Sequence, residues 1–179
     1  MPGRKRKTLL IRFASLAEVQ PEKVEQLLDH AFGADRRART AYRIREGQAA
    51  IRDLSFAAFD GDDLIGTIQC WAVQLNADDG ADLPLVMVGP VAVEPARQRD
   101  GLGRALMRLS LDAAAERRAD GALMLIGDPE YYERFFGFTA ERTGGWRAPG
   151  PFEPRRLLAR GDSIPPRSGM LGPRVTTPA

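Results

Sequence analysis

Residues 91–109 of this 179-residue chain read VAVEPARQRDGLGRALMRL. A short apolar run comes first, followed by a basic arm, two glycines one residue apart, and apolar residues at helical spacing. Glycines placed just before a helix let successive backbone amides close on an anion at the positive end of that helix. The stretch therefore predicts a strand, a glycine loop and a helix, in that order, and leaves open whether the loop holds a dinucleotide, a triphosphate, another phosphate-bearing cofactor or nothing.

The flanking sequence predicts that this helix joins two strands of one sheet. Residues 85–93 form a strand pattern that Gly89-Pro90 interrupts, because proline cannot donate a hydrogen bond to a sheet ladder. The apolar residues 122–126 have the length of a buried strand. A strand, a helix and a strand at this spacing make a right-handed crossover between parallel neighbours.

Other segments complete a layered domain. Residues 54–59 and 64–73 alternate like strands around the turn sequence DGDD, which predicts a hairpin. Further strands are predicted at 9–13 and 155–160, and further helices from Pro21 to Gly33 and over 38–45. The predicted fold class is α/β (α+β): a mixed central sheet flanked by helices, with the parallel βαβ unit at the glycine loop.

Length and composition set the outer limits of the interpretation. A chain of this length favours one domain, which we place at residues 1–163, with residues 164–179 as a mobile or partner-bound Pro-rich tail. The charge of +2 is too balanced to favour a nucleic-acid partner. Cys70 alone excludes an internal disulfide, and one cysteine with one histidine, His30, argues against a metal site. Without a signal peptide or an apolar run of membrane-spanning length, we expect a cytoplasmic protein.

A second basic segment lies near the N-terminal third of the chain. Residues 34–47, ADRRARTAYRIREG, contain five arginines. Such a segment can bind phosphate or nucleic acid, but an isolated run of charge more often forms a solvated helix face. We prefer the solvated face and expect the acidic neighbours Asp35 and Glu46 to accompany it.

Three kinds of phosphate site compete for the glycine loop. A triphosphate P-loop needs GxxxxGK followed by serine or threonine, and the chain contains no such run. A dinucleotide fold needs GxGxxG directly after a strand; here the third glycine is missing and the arm EPARQRD intervenes, although Asp128 follows the next strand. The third kind uses the arm itself, since residues 98–103, QRDGLG, fit the pattern Q/R-x-x-G-x-G/A.

With this pattern after VAV and before a long amphipathic helix, the sequence resembles the GNAT-type N-acetyltransferases. The resemblance implies that acetyl-CoA is the co-substrate, with its pyrophosphate on the loop amides and no metal. The implied contacts are Gln98, Arg99, Asp100, Gly101, Leu102, Gly103 and Arg104, with Arg97 as a further source of charge. It also implies that the preceding strand splays from its parallel neighbour, so that pantetheine pairs with the backbone of Val91, Ala92 and Val93.

A second sequence motif narrows the resemblance to one branch of the family. Residues 127–138, GDPEYYERFFGF, are similar to a loop in the YhbS-like branch of the family, as are residues 38–47. The branch has one phenylalanine before Gly-Phe where this chain has Phe135 and Phe136, so the tyrosine-to-glycine spacing shifts by one. The family uses a tyrosine as proton donor to the leaving thiolate, which implies Tyr132, with Tyr131 as second choice.

The resemblance implies acetyl transfer to a primary amine by direct attack. A backbone N–H near Gly89 would stabilise the developing oxyanion. Tyr42, Arg45, Glu46 and Trp71 are expected on the acceptor side. Glu94 and Glu46 are the available carboxylates, neither of them marked out as the base.

Alternatives remain open at this point. The chain can instead be a non-catalytic acyl-CoA sensor, or an RNA- or protein-binding module that uses its arginine-rich segment. The acceptor is an amine of unknown identity, no membrane is expected as partner, and a homodimer is one candidate assembly.

Overall fold

The strands and helices follow the turn and periodicity signals of the sequence. The computed structural model describes residues 10–175. The strands are β1 (Ile11–Ser15), β2 (Phe56–Asp60), β3 (Asp63–Ala77), β4 (Asp82–Val93), β5 (Leu123–Ile126), β6 (Trp146–Arg147), β7 (Leu157–Arg160) and β8 (Gly169–Pro173). The helices are α1 (Pro21–Phe32), α2 (Thr40–Ile44), α3 (Leu102–Glu116) and α4 (Pro129–Phe136).

One mixed sheet contains all eight of these strands. Its main order is β1-β2-β3-β4-β5-β7, and β8 pairs with β3 and β6. Most pairs are antiparallel, whereas β4 and β5 run parallel and are connected through α3. The predicted α/β (α+β) class, with its mixed sheet and parallel βαβ unit, is therefore confirmed.

The core occupies both faces of the sheet. On β3, Ile68 and Cys70 belong to a cluster that contains buried residues of α3 such as Leu106. Trp71 and Val73 belong to the cluster on the opposite face. Because successive residues of a strand point to opposite faces, the long apolar run of β3 contributes side chains to the hydrophobic clusters on both faces of the sheet.

Several local predictions are confirmed. Helix α1 begins at Pro21 and is followed by Gly33, as proline at the first turn and glycine at the end predict. The predicted hairpin is β2–β3, and its ladder shifts register beside Gly66. Helix α4 ends at Gly137, whose φ of +71° is the left-handed conformation that glycine favours.

Two predicted connections differ from the structure. The helix expected over 38–45 is a single 3-10 turn, Arg36–Ala38, followed by α2. Residues 76–84, NADDGADLP, have the composition of a polar loop but contain only a tight turn, because β3 continues to Ala77 and β4 begins at Asp82, so that the two strands form one long hairpin.

The predicted mobile tail is wrong for the part that forms β8. This strand pairs antiparallel with the second half of β3, from Val73↔Pro173 to Ala77↔Gly169, and parallel with β6. A Cβ atom on Gly169 would lie 2.8 Å from Cα of Ala77, so glycine at this position allows close backbone contact between β8 and β3. Residues 176–179 of the predicted tail and Leu9 of the strand predicted at 9–13 lie outside the described residues 10–175.

Candidate functional site

The glycine loop precedes α3 in the way its sequence predicts. Gly101 is the N-cap with φ +74°, and it offers no side chain to cap the helix. The first backbone N–H groups of a helix have no acceptor within the helix, so they are available to an anion at its positive end. A Cβ atom on Gly101 would meet nothing within 4 Å, and one on Gly103 would meet only Val91 Cγ1 at 3.9 Å. The cradle fits a diphosphate.

The charged and polar side chains around this loop form two groups, those that form ion pairs and those that do not. Arg97 donates to Asp60 at 2.8 Å and to Asp100 at 2.9 Å, which ties the loop to the end of β2. The side chains of Arg97 and Asp100 thus already form an ion pair with each other. Gln98 and Arg99 are exposed, and the guanidinium of Arg104 lies 4.2 Å from the centroid of the Phe135 ring.

Leu102 differs from its neighbours in the loop. Its side chain is 3% exposed and belongs to the core cluster around α3. Only its backbone N–H is therefore placed to meet a ligand at the helix end.

Strands β4 and β5 separate beyond a short paired segment. Their parallel pairing covers only Val86↔Leu123 and Met87↔Met124. Past these pairs, the β3–β4 register shifts opposite Gly89-Pro90, and Gly89 has φ +114°. Proline removes one ladder donor at this point, so the sequence signal read at Gly89-Pro90 marks a real irregularity.

Residues 91–93 lie on the free side of this split. Val91, Ala92 and Val93 pair with β3 on one side, and no β5 pairing is present on the other. Ala92 is fully buried, whereas Val91 and Val93 are half-buried. The free edge of β4 carries backbone groups to which an extended ligand can add as a strand.

A cavity of about 720 Å³ opens at the split. Its walls include Val88 to Val91 from β4, Leu125 and Ile126 from β5, and Tyr132 from α4. The remaining wall comes from the segment around α2 and from residues 151–156. The cavity thus brings the strand edge, a tyrosine and the arginine-rich segment to one place.

The structure separates the two candidate tyrosines. Tyr132 lines the cavity and Tyr131 does not; their rings meet edge to face with centroids 5.0 Å apart. Tyr131 also packs against Phe135, with centroids 5.1 Å apart. Burial raises the pKa of the Tyr132 hydroxyl to about 12, and Tyr131 and Asp128 act in the same direction.

Backbone geometry fixes the position of Tyr132. Asp128 caps α4, with its Oδ1 accepting from the N–H of Glu130 at 3.1 Å, and Pro129 occupies the first turn. Gly127 leaves room for the ring of Tyr132. The motif GDPEYY therefore encodes a helix start that directs its fourth helical residue to the cavity.

The expected acceptor-side residues are mostly brought together. Tyr42 and Arg45 line both the main cavity and a neighbouring cavity of about 310 Å³. Trp71 and Glu46 line only the smaller one, and Glu46 is exposed. The indole Nε1 of Trp71 donates to the carbonyl of Gly89 at 2.7 Å, so the aromatic wall is joined to the irregular part of β4.

The arginine-rich segment is only in part the solvated face that we predicted. Arg37, Arg39 and Arg43 are exposed, but Arg36 is 1% exposed and Arg45 is 6% exposed. Arg36 donates to Glu25, Asp29 and Tyr42. Burial disfavours its charge, yet these hydrogen bonds outweigh burial and raise the pKa of the guanidinium.

A loop that no sequence motif predicted also lines the cavity. Phe152, Glu153 and Arg156 line it, far from the motifs in sequence. The hydroxyl of Thr40 donates to the carbonyl of Pro151 at 2.6 Å and holds this loop against α2. Neither carboxylate weighed as a base lines the main cavity, where Glu153 is the acidic lining residue among residues 10–175; Glu94 instead lies 3.6 Å from His30 Nδ1.

Two further features bear on the class of site. Within residues 10–175, no helix has the length and apolar character needed to cross a membrane. Over the same range, no group of three or more histidine, cysteine, aspartate or glutamate side chains is arranged to hold a metal ion.

Comparison with known proteins agrees with this geometry. Residues 12–140 match the family described as "Acetyltransferase (GNAT) domain". The chain belongs to the GNAT acetyltransferase family. The GNAT family N-acetyltransferase YhbS from Escherichia coli, solved in complex with CoA, superimposes with a TM-score of 0.69 and 25% identity, over 93% of this chain and 89% of that one. The resemblance to GNAT enzymes and their YhbS-like branch is therefore confirmed.

Two more relatives extend the comparison. A GNAT family acetyltransferase from Brucella melitensis, solved with acetyl-CoA, has a TM-score of 0.57 and 25% identity, over 84% of this chain and 95% of that one. An uncharacterized N-acetyltransferase from Streptomyces avermitilis is 29% identical over 83 residues. That match covers 46% of this chain and 20% of the relative, so the chain spans only a small part of that protein.

Proposed function

We propose that this GNAT protein transfers the acetyl group of acetyl-CoA directly to a primary amine. The observation that carries the proposal is the placement of Tyr132 on the cavity where β4 and β5 separate. One cavity there joins a free strand edge for the donor, a proton donor for the leaving group, and room for an acceptor. The CoA and acetyl-CoA complexes of two GNAT relatives support the choice of donor.

Donor binding uses backbone more than side chains. The N–H groups at Gly101, Leu102 and Gly103 hold the pyrophosphate at the start of α3. Arg99 and Arg104 add positive charge, Gln98 adds a polar contact, and Asp100 acts through its ion pair with Arg97. The edge of Val91, Ala92 and Val93 pairs with the pantetheine arm.

Acetyl-CoA supplies a thioester whose carbonyl carbon accepts the amine. The attacking amine must be neutral, so its proton passes to water or to Glu153, the carboxylate on the cavity wall. A backbone N–H in the irregular segment from Gly89 to Val91 stabilises the negative charge that develops on the carbonyl oxygen.

Tyr132 acts on the leaving sulfur. Its pKa of about 12 lies roughly 3.5 pH units above the ordinary thiol value of about 8.5, so complete proton transfer to the thiolate is uphill. A hydrogen bond donated to the sulfur as charge develops avoids that cost. Burial keeps the hydroxyl protonated at neutral pH, and the donor is therefore present in every turnover.

Calorimetry with acetyl-CoA tests the donor site. Gly103→Glu places a carboxylate at the helix start, where the helix dipole tolerates it but the pyrophosphate does not. We expect acetyl-CoA affinity to fall at least about tenfold relative to wild type, in keeping with loss of one charge-assisted contact. Gly144→Glu is the matched control, since a Cβ on Gly144 meets nothing within 4 Å and residue 144 lies outside the cavity.

Equal affinity in the wild type and Gly103→Glu would contradict the donor site. Thiol release with a panel of amines then tests transfer itself. Tight acetyl-CoA binding with no acetylated product from any amine would contradict the enzyme and favour an acyl-CoA sensor.

A further inference from the structure

We propose that the amine acceptor carries a carboxylate, and that Arg45 binds it. This inference rests on the proposed acetyl transfer and names the substrate class of the same cavity. It goes beyond the expectation that Arg45 lies on the acceptor side, because it assigns the chemical group that the side chain recognises.

Arg45 is held in one orientation by two aromatic rings. Its Cζ atom lies 4.0 Å from the centroid of the Tyr42 ring and 4.0 Å from that of the Trp71 ring. The side chain is 6% exposed and lines both cavities. Stacking immobilises a guanidinium, and the N–H donors of its planar fork that Tyr42 does not engage stay available to a carboxylate.

Arg45 differs from the neighbouring Arg36 in its ion pairs. Within residues 10–175, no carboxylate forms an ion pair with it, whereas the equally buried Arg36 pairs with both Glu25 and Asp29. A buried charge without a partner destabilises the fold relative to a paired one. Within one short segment, the fold therefore provides carboxylates for the charge of Arg36. The charge of Arg45 is left to pair with a carboxylate of the ligand.

Arg45 stays charged at neutral pH. Burial lowers the pKa of its guanidinium to about 10, with Arg36 acting in the same direction and Tyr42 and Glu25 opposing it. An incoming carboxylate would therefore meet a cation that is already desolvated, which strengthens the interaction relative to one at the surface.

The remaining charges of the main cavity favour the same acceptor. Arg39 and Arg156 also line it, and neither forms an ion pair within the described residues 10–175. Glu153 is the acidic lining residue there. A wall with several cations and one carboxylate attracts an anion and leaves one acidic group for the amine end of the acceptor.

The experiment uses matched probes that differ only at the carboxyl group. The probes are the twenty protein amino acids, their carboxamides and the corresponding decarboxylated amines, each assayed with acetyl-CoA for thiol release and acetylated product. The variants are Arg45→Met, which keeps most of the stem, and Arg45→Lys, which keeps charge without the fork. Arg52→Gln is the charge-matched control, since Arg52 is exposed and lines neither cavity.

We expect the wild type to prefer at least one acid over its carboxamide by about tenfold or more in kcat/KM, the range for a charge-assisted contact. Arg45→Met should raise KM for that acid by a similar factor, leave KM for acetyl-CoA within about twofold, and abolish the preference over the amide. Arg45→Lys should recover part of the preference, and Arg52→Gln should behave as wild type.

Two outcomes would overturn the inference. Equal turnover of acids and carboxamides by the wild type would show that no carboxylate is recognised. A rise in KM for acetyl-CoA, with no change for the acceptor, would show that Arg45 serves a phosphate of the donor instead.

Calorimetry with the N-acetylated amino acids and their amides, in the presence of CoA, separates this inference from the proposed reaction. Carboxylate-specific binding that Arg45→Met abolishes would support the inference even if no amine were acetylated, and the transfer reaction alone would then have failed. If none of the N-acetylated acids binds better than its amide, the inference is wrong. The far-UV circular dichroism spectrum and the thermal midpoint of each Arg45 variant, compared with those of the wild type, show that the variant is folded.

Discussion

The ring of Tyr132 occupies the space that a side chain on residue 127 would need. An ideal Cβ atom on Gly127 would lie 2.8 Å from Cδ2 of Tyr132, a distance that real Cβ contacts essentially never show. Gly127 ends the link from β5, and its N–H donates to the carbonyl of Arg156 at 2.9 Å. The backbone at residue 127 is therefore fixed, and any added side chain must displace the tyrosine.

Gly127→Ala should accordingly lower kcat without unfolding the protein. A misplacement of about 1 Å in a reacting group costs on the order of 10²-fold in rate, so we expect a loss of that size with KM for acetyl-CoA little changed. Steady-state kinetics with the best amine of the panel measure it. Gly144→Ala, at a position with free space for a Cβ, is the control, and an unchanged kcat in Gly127→Ala would contradict the positioning role.

Replacing each of the two tyrosines by phenylalanine should show which hydroxyl contributes to kcat. Tyr132→Phe removes the hydroxyl on the cavity and should lower kcat on the order of 10²-fold, at the lower end of general acid effects. Tyr131→Phe should leave kcat within about twofold, because its ring packs against Phe135 outside the cavity lining. The reverse pattern would assign the proton donor to Tyr131.

Local sequence signals predicted the elements that surround the site. The run from Val91 to Leu109 contains its own strand edge, glycine loop and helix start, and Gly89-Pro90 marks the irregular strand. The motif from Gly127 to Phe138 similarly contains a cap, a helix and a stop. Each of these features depends on neighbours a few residues away, which is why spacing and turn chemistry predict them.

The parts of the site that were not predicted depend on distant contacts. Thr40 bonds to Pro151 across 111 residues, and β8 pairs with a strand about 100 residues earlier. Arg36 and Arg45 lie in one basic run and look alike in sequence, but only Arg36 meets Glu25 and Asp29. Tertiary packing decides whether a buried arginine has a carboxylate partner, so the spacing of residues in the sequence cannot distinguish Arg36 from Arg45.

The pH dependence of turnover should show no loss from Tyr132 in the alkaline range. Burial raises the pKa of its hydroxyl to about 12, so the group keeps its proton well above the range in which an ordinary tyrosine titrates. We expect kcat to rise as the acceptor amine deprotonates and then to stay level up to about pH 10. A fall of kcat with an apparent pKa near 10 in the wild type, absent in Tyr132→Phe, would contradict this placement of the hydroxyl.

Cys70 should make the protein less stable at alkaline pH. Its side chain is 1% exposed, and burial raises the pKa of the thiol to about 12, from an ordinary value near 8.5. Above the unfolded value, the unfolded chain releases the thiol proton while the folded chain keeps it. The thiol therefore contributes its full stabilisation below about pH 8.5. Above this pH, the free energy of unfolding falls by about 1.4 kcal/mol per pH unit until the pH reaches the pKa of the thiol in the folded protein.

Urea unfolding of the wild type and of Cys70→Ala at pH 8 and pH 10 isolates this effect. In Cys70→Ala, the cavity lowers the free energy of unfolding by the same amount at both pH values. Only the wild type should lose a further amount, about 2 kcal/mol, between pH 8 and pH 10, because only the wild type has the thiol. Other groups, including Tyr132, titrate equally in both proteins and cancel from the comparison. Parallel losses in the two proteins would show that the folded thiol ionises in the ordinary range and that its surroundings are more open to water than the packing of β3 and α3 indicates.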